Sequence, residues 1–272
     1  MSESQPSKTS STQLPWVLVA VLGVAVVVLA LMLVSFNRNN PGTAEPAPAG
    51  QEEPQQQQPQ QPDEQGQPQQ PEGQQQAPSD PGTMDPELKK LLESLPRREA
   101  DDYTAKGDVD APVVLIEWAD YRCPYCAVWS VDTAPQLQKY VDDGTLRIEF
   151  RDLPIFGPDS ERAAVAARAA GEQGKFWEFH EALFAEAPRN GHADVSDEDV
   201  RRIAEKVGVA DMKKFDADRN SDKIKQAVTA DATQARSLGI GGTPFFVINY
   251  QVINGAQPAE NFIKAIEDAK RG

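Results

Sequence analysis

The stretch that decides the fold is Val113 to Cys126, VVLIEWADYRCPYC. Val113-Val114-Leu115-Ile116 follows Pro112 as an unbroken apolar run, the signature of a strand buried on both faces. Ala119-Asp120-Tyr121-Arg122 turns the chain. From Cys123 through Val141, Trp129, Leu137 and Tyr140 carry helical spacing, interrupted by Pro135, which is expected to kink the helix. Two cysteines therefore stand where a central strand hands over to a helix. After the Asp142-Asp143-Gly144 turn, Leu146-Arg147-Ile148-Glu149-Phe150 alternates as a second strand, and the strand–helix–strand order predicts parallel pairing with the first.

Downstream the pattern changes. Ala163 to Ala170, Phe176 to Phe184, Val200 to Val207 and Ile224 to Ala235 predict four or so helices without strands. Strands resume at Phe245 to Asn249 and Gln251 to Ile253, too close together for anything but an antiparallel hairpin. Pro258 opens a closing helix through Ala269, with Phe262, Ile263 and Ile266 on its inner face. Residues 100–272 thus form one α/β domain with a helical insert over about 158–238.

Upstream, residues 1–13 form a short tail, and Leu14 to Phe36 runs 23 residues without a charge. As a helix that segment spans roughly 34 Å against a hydrocarbon core of about 30 Å, so it is expected to cross a bilayer once. A cleaved signal has a shorter apolar core and a small-residue cleavage site, and here SFNRNN follows. Lys8 and Arg38 balance one another, so charge does not set the orientation. A single span followed by a long tether and a cysteine pair suits a C-terminal domain on the extracytoplasmic side. Residues 37–99 are read as a linker: its Pro/Gln-rich part cannot build a core and is expected to be disordered, spanning about 40 Å or more. A short helix within Asp85 to Arg98 ends it, with Leu88, Leu91, Leu92 and Leu95 at helical spacing.

The formal charge of −15 and pI near 4.6 oppose nucleic acid as a partner, since such binding depends on Lys and Arg displacing counterions. Only two cysteines occur in 272 residues, both in Cys123-Pro124-Tyr125-Cys126. A thiolate is the attacking species in disulfide exchange, and a helix N-terminus lowers a thiol's pKa through free N–H groups and the macrodipole. Cys123 is therefore the candidate nucleophile and Cys126, one turn on, the resolving thiol. Pro124 fits the first helical turn, and Tyr125 supplies a side chain able to tune the local field. Half a zinc site is the rival for this spacing, but no third cysteine exists, and His180 and His192 are too far apart for a zinc-finger pair. His180 lies among Phe176, Trp177 and Phe179, where a packed or hydrogen-bonded histidine is expected. A purely structural disulfide would close too small a loop to stabilise much.

Glu117 ends the apolar run. Buried, its carboxyl is pushed towards neutrality and accepts the Cys126 proton; turned outward, it meets solvent or an arginine such as Arg151. Spacing alone leaves both open. Thr243-Pro244, after Gly241-Gly242, enters the first hairpin strand and suits a cis bond, a tight turn or an ordinary loop.

With these residues in place, Lys106 to Ala269 resembles the DsbA-like branch of the thioredoxin superfamily. KGDVDAPVVLIEWADYRCPYC looks like its opening strand and active-site turn, and RDLPIFGPDSERAA like its second strand and the start of the insert. GKFWEFHEALF resembles an insert helix, and GGTPFFVIN with INGAQP the final hairpin. The resemblance implies a thioredoxin-like core with an inserted helical domain. It also implies a proton-acceptor role for Glu117, six residues before the first cysteine, and a cis Pro244 facing the cysteines, with Thr243 contacting the substrate backbone. Its activity would be protein thiol–disulfide exchange with no cofactor beyond the redox-active disulfide of Cys123 and Cys126. Unfolded cysteine-containing exported proteins would be substrates, and a membrane protein of the DsbB or vitamin K epoxide reductase type would reoxidise the pair. Pro-Tyr stands where the best-known oxidases have Pro-His, so their strongly oxidising potential does not carry over. Reduction or isomerisation of disulfides is the enzymatic alternative, and a peptide-binding adaptor without catalysis the other.

Overall fold

Two parallel strands and the helix between them organise everything else. The computed structural model describes residues 84–271, and the expected tail, the span 14–36 and the linker up to residue 83 lie outside these. No helix among the described residues is long and apolar enough to cross a membrane. Pro86–Glu93 forms α1, Ala105–Lys106 the short β1 and Val113–Ala119 β2. After β2 a helical stretch is built from α2 (Pro124–Val128), a π-helical turn at Trp129–Thr133 and α3 (Ala134–Asp142). The irregularity lies just before Pro135, whose missing N–H leaves the preceding turn without its ordinary bond. There the Ala134 N–H reaches back to the Trp129 carbonyl.

β3 (Leu146–Asp152) is parallel to β2, as the strand–helix–strand order predicts. All seven of its residues are buried, so its alternation does not mark a solvent face. Arg147 and Arg151 both bind Glu149, at 3.0 and 2.6 Å, and the Arg97 and Arg98 N–H groups donate to the same carboxylate. Burial alone would raise the Glu149 pKa, but these donors hold it down to about 2. Beside them Arg168 binds Asp152 and Asp231, and Arg97 also reaches Asp231.

The insert comprises α4 (Pro158–Gly171), α5 (Phe176–Glu186), α6 (Asp197–Lys206), α7 (Met212–Arg219) and α8 (Asp222–Ser237). The sequence gives no periodic signal for α7, because Phe215 is its one buried residue. β4 (Phe245–Ile248) and β5 (Gln251–Asn254) make the expected hairpin, its two-residue turn placing Asn249 at φ 48°. α9 (Ala259–Arg271) closes the domain. The sheet order is β1-β3-β2-β4-β5, with β1, β4 and β5 each antiparallel to a neighbour.

Val113 and Leu115 face a core shared with Trp129, Leu137, Phe246, Phe262 and Ile266. Val114, Ile116 and Trp118 face the other way, against Ala232 and Ala235 of α8 and against Leu92 and Leu95. The short helix therefore does not belong to a linker ending at 99: Leu92 and Leu95 are core residues while Leu88 and Leu91 are exposed, and the domain boundary lies at or before Met84.

Candidate active site

Cys123 caps the N-terminus of α2. Its Sγ accepts the Cys126 N–H at 3.4 Å, its own N–H donates to the Asp120 carbonyl at 3.0 Å, and its thiol lies 3.4 Å from the Thr243 carbonyl. Both cysteines are free thiols and both are buried. Hydrogen bonding from the Cys126 thiol, more than anything else, lowers the Cys123 pKa to about 6; burial opposes this, and the N–H groups of Cys126 and Tyr125 add to it. Burial pushes Cys126 the other way, as does its donation to Cys123, with a backbone hydrogen bond from Asp120 partly opposing. The two sulfurs are thus unequal: one ionises near neutrality and the other keeps its proton.

Glu117 is fully buried in β2, in register with Phe150 of β3 and Phe246 of β4. Trp129 packs on Phe246 with ring centroids 4.7 Å apart. Neither carboxyl oxygen has a hydrogen-bond partner. Burial drives the Glu117 pKa well up, Lys106 opposes this, and Cys123 adds to the rise. The outward reading, with Arg151 as partner, is overturned: Arg151 binds Glu149 on the other face of the sheet.

Lys106 had no signal in the sequence. It sits opposite Ile148 across β1 and β3, which places it on the Glu117 face of the sheet. Its ammonium lies 3.6 Å from the Glu181 carboxylate and 4.4 Å from the centre of the Trp177 ring. Lys106, Trp129, Ile148, Trp177, His180 and Glu181 line a cavity of about 440 Å³ between α3, α5 and the sheet. His180 is packed and hydrogen-bonded, as expected, with Nδ1 3.2 Å from the Tyr121 hydroxyl, and burial pushes its pKa well down, so it is neutral.

Thr243-Pro244 is cis, and the Thr243 carbonyl is what meets Cys123; the Thr243 hydroxyl is buried without a partner. Pro124 occupies the first helical turn, and the Tyr125 side chain is exposed. Two residues that sequence reading passed over fix this turn. Asp120 takes the N–H groups of Arg122, Ile155 and Phe156 on its carboxylate, at 2.8, 2.6 and 3.2 Å. The Arg122 guanidinium in turn donates to the Ala193 and Phe156 carbonyls. An acid three residues before the cysteine, inside a turn, is the one available hint, since Asp there accepts from N–H groups two residues on.

A mixed sheet interrupted by helices, with a helix-capping cysteine against a cis-proline segment, defines a thioredoxin-fold thiol–disulfide exchange domain. A family model described as Thioredoxin matches residues 99–268, and the chain belongs to that family. A probable disulfide bond formation protein D of Bacillus cereus is 31% identical over 152 residues, 54% of this chain and 70% of that protein. The crystal structure of oxidised BdbD from Bacillus subtilis superposes with a TM-score of 0.58 at 26% identity, covering 62% of this chain and 93% of that one. The thiol–disulfide exchange protein α-DsbA2 of Wolbachia pipientis gives a TM-score of 0.56 at 27% identity, over 66% and 95%. The protein is a thiol:disulfide oxidoreductase of DsbA-like type.

Proposed function

We propose that this oxidoreductase introduces disulfides into exported polypeptides through Cys123 and Cys126, held at the outer face of the cell membrane by residues 14–36. The observation that carries the direction is the inequality of the two thiols. A Cys123 thiolate stabilised to a pKa of about 6 favours the reduced protein, and so favours handing the disulfide on. In the forward reaction a substrate thiolate attacks Cys123 Sγ, the Cys123–Cys126 bond breaks, and its electron pair leaves on Cys126. Glu117, protonated because it is buried, gives its proton to that sulfur. A second substrate thiolate then attacks the substrate sulfur of the mixed disulfide and expels Cys123 as a stable thiolate. Two electrons pass from the substrate dithiol to the pair; the two protons the substrate thiols give up go to solvent, from which Glu117 regains the one it gave to Cys126, and a quinone-linked membrane protein of the DsbB or vitamin K epoxide reductase type removes the electrons. Thr243 and Pro244 face the substrate segment, while Pro124 and Tyr125 tune the pair. Relatives named for disulfide bond formation support this reading.

The test is the reduction potential of the full chain in detergent, from equilibration in glutathione buffers and alkylation of Cys123 and Cys126. A value towards the DsbA end, about −120 mV, supports disulfide donation; one near the thioredoxin value of about −270 mV makes it a reductase or isomerase. For the anchor, protease added to intact cells or spheroplasts digests the domain if it lies outside; a protected domain overturns that placement.

A further inference from the structure

Asn-Gly occurs twice in the chain, as Asn190-Gly191 and as Asn254-Gly255. Such a pair is chemically labile, because glycine has no Cβ to keep its amide nitrogen away from the preceding side-chain carbonyl. The fold treats the two differently. Asn254 ends β5 in register with Phe245, and the Gly255 N–H donates to the Pro244 carbonyl at 2.9 Å. Asn220, followed by the small Ser221, is held as well: its carboxamide donates to the Asp216 carbonyl at 2.7 Å, and the Ser221 N–H to the Asp218 carbonyl at 2.9 Å. Asn190 and Gly191 lie exposed in the bend between α5 and α6, with Gly191 at φ 76° and open space where a Cβ would stand. Among the described residues nothing hydrogen-bonds the Asn190 carboxamide or the Gly191 N–H.

The bend also separates two anchors. Ahead of it, Arg189 grips the Asp132 carboxylate of the π-helical turn, at 2.6 and 3.0 Å. After it, the His192 ring meets the Arg122 carbonyl at 3.2 Å, and the Ala193 carbonyl takes the Arg122 guanidinium. Arg122 immediately precedes Cys123, so the second anchor is the reactive turn itself. Asn190 and Gly191 are all the chain that runs from one anchor to the other.

We infer that Asn190 is a site of spontaneous deamidation, and that its isoaspartyl product detaches this loop from the turn carrying Cys123. The Gly191 nitrogen gives its proton to hydroxide and attacks Asn190 Cγ. A C–N bond forms to close a five-membered imide, and the bond from Cγ to the amide nitrogen breaks as ammonia leaves. Water then opens the ring. Opening at the backbone carbonyl leaves the chain running through the side-chain carbon, one methylene longer between anchors set for the shorter path. Opening at either carbonyl places a carboxylate beside Arg189, in competition with Asp132.

The experiment ages the full chain in detergent at mildly alkaline pH and follows it by peptide mapping, with isoaspartate detected by enzymatic methylation of its free carboxylate. The Asn190 peptide is expected to change from amide to acid and to accept methyl groups, while the Asn220 and Asn254 peptides stay intact. Gly191→Ala should slow the change about tenfold, by hindering the approach of its nitrogen, and Asn190→Gln should abolish it. Hydrogen exchange then compares aged with fresh protein. Amides of residues 187–196 and of Asp120 to Cys123 should exchange about tenfold faster after ageing, the scale of one lost hydrogen bond, and aged Asn190→Gln protein should match fresh. An Asn190 that stays intact, or changes no faster than Asn254, overturns the site. Modification that leaves exchange at Asp120 to Cys123 unaltered overturns the detachment.

Discussion

Glu117 and Arg151 lie on neighbouring, paired strands and on opposite faces of the sheet. The register sets Glu117 against Phe150 and Trp118 against Arg151, so a one-residue offset separates the acid from the base. Arg151 is spent on Glu149, and Glu117 is left among Phe150, Phe246 and the cysteines with no counterion in bonding reach. That is the arrangement in which burial keeps a carboxyl protonated.

Glu117→Gln should slow the steps in which Cys126 gains or loses a proton, on the order of 10²-fold, with mixed disulfide at Cys123 accumulating in quenched-flow samples. Its effect on stability should have the opposite sign. In the fold Glu117 titrates above its unfolded value, so between the two the unfolded chain releases a proton that the folded chain keeps, and stability falls as pH rises through that window. Urea denaturation should find the variant more stable than the wild type at pH 7, with the difference gone near pH 4.

Cys123 behaves inversely. Its folded pKa is depressed to about 6, so the reduced protein gains stability as pH rises from about 6 towards the unfolded thiol value and loses it on acidification. At pH 7 the gain amounts to about 1.4 kcal/mol, and at pH 5 to almost nothing. The oxidised protein lacks this thiol. Denaturation of both redox forms at the two pH values should show the gap between them change by that amount, and thiolate absorbance of the reduced form should rise with a midpoint near 6.

Arg168→Met should destabilise the domain by about 3–5 kcal/mol in equilibrium denaturation, because it leaves Asp152 and Asp231 facing each other with Arg97 as their remaining cation. Burial already pushes Asp152 up to about 6 despite Arg168. The variant should therefore recover part of its loss at pH 5, where one carboxyl takes up a proton.

Lys106→Met removes the positive charge that opposes the rise of the Glu117 pKa. The limb of the pH–rate profile belonging to Glu117 should move to higher pH, measured on the step that releases substrate from Cys123. A variant acting only through lost packing against Trp177 would lower the rate without moving that limb.

The strands, the cysteine turn and the hairpin were legible because each is written in a short run: unbroken apolar residues in β2, Cys-Pro-Tyr-Cys at a strand end, and Phe245 to Asn249 with Gln251 to Ile253 almost touching in the chain. What escaped depends on residues far apart in the chain. The charged residues of β3 look solvent-facing until Asp231 and Arg97, some 80 residues after it and 50 before it, roof them over. Lys106 acquires meaning only when β1 pairs beside β3. The helix α7 buries a single residue, Phe215, and so shows no period. Pro135 announced an irregular helix, yet the π turn sits before it, because the bond the proline cannot make belongs to the preceding turn.

The strap before β1 also decides where a pull on this domain is felt. Leu92 and Leu95 grip the sheet, and the Arg98 guanidinium holds the Val109 and Ala111 carbonyls just ahead of the first residue of β2. The cysteines follow its last residue, so the whole strand, roughly 23 Å at 3.3 Å per residue, lies between the Arg98 clasp and the thiol. A pull that reaches the domain at Met84 meets Leu92, Leu95 and the Arg98 clasp before it reaches β2 and the sulfur beyond it.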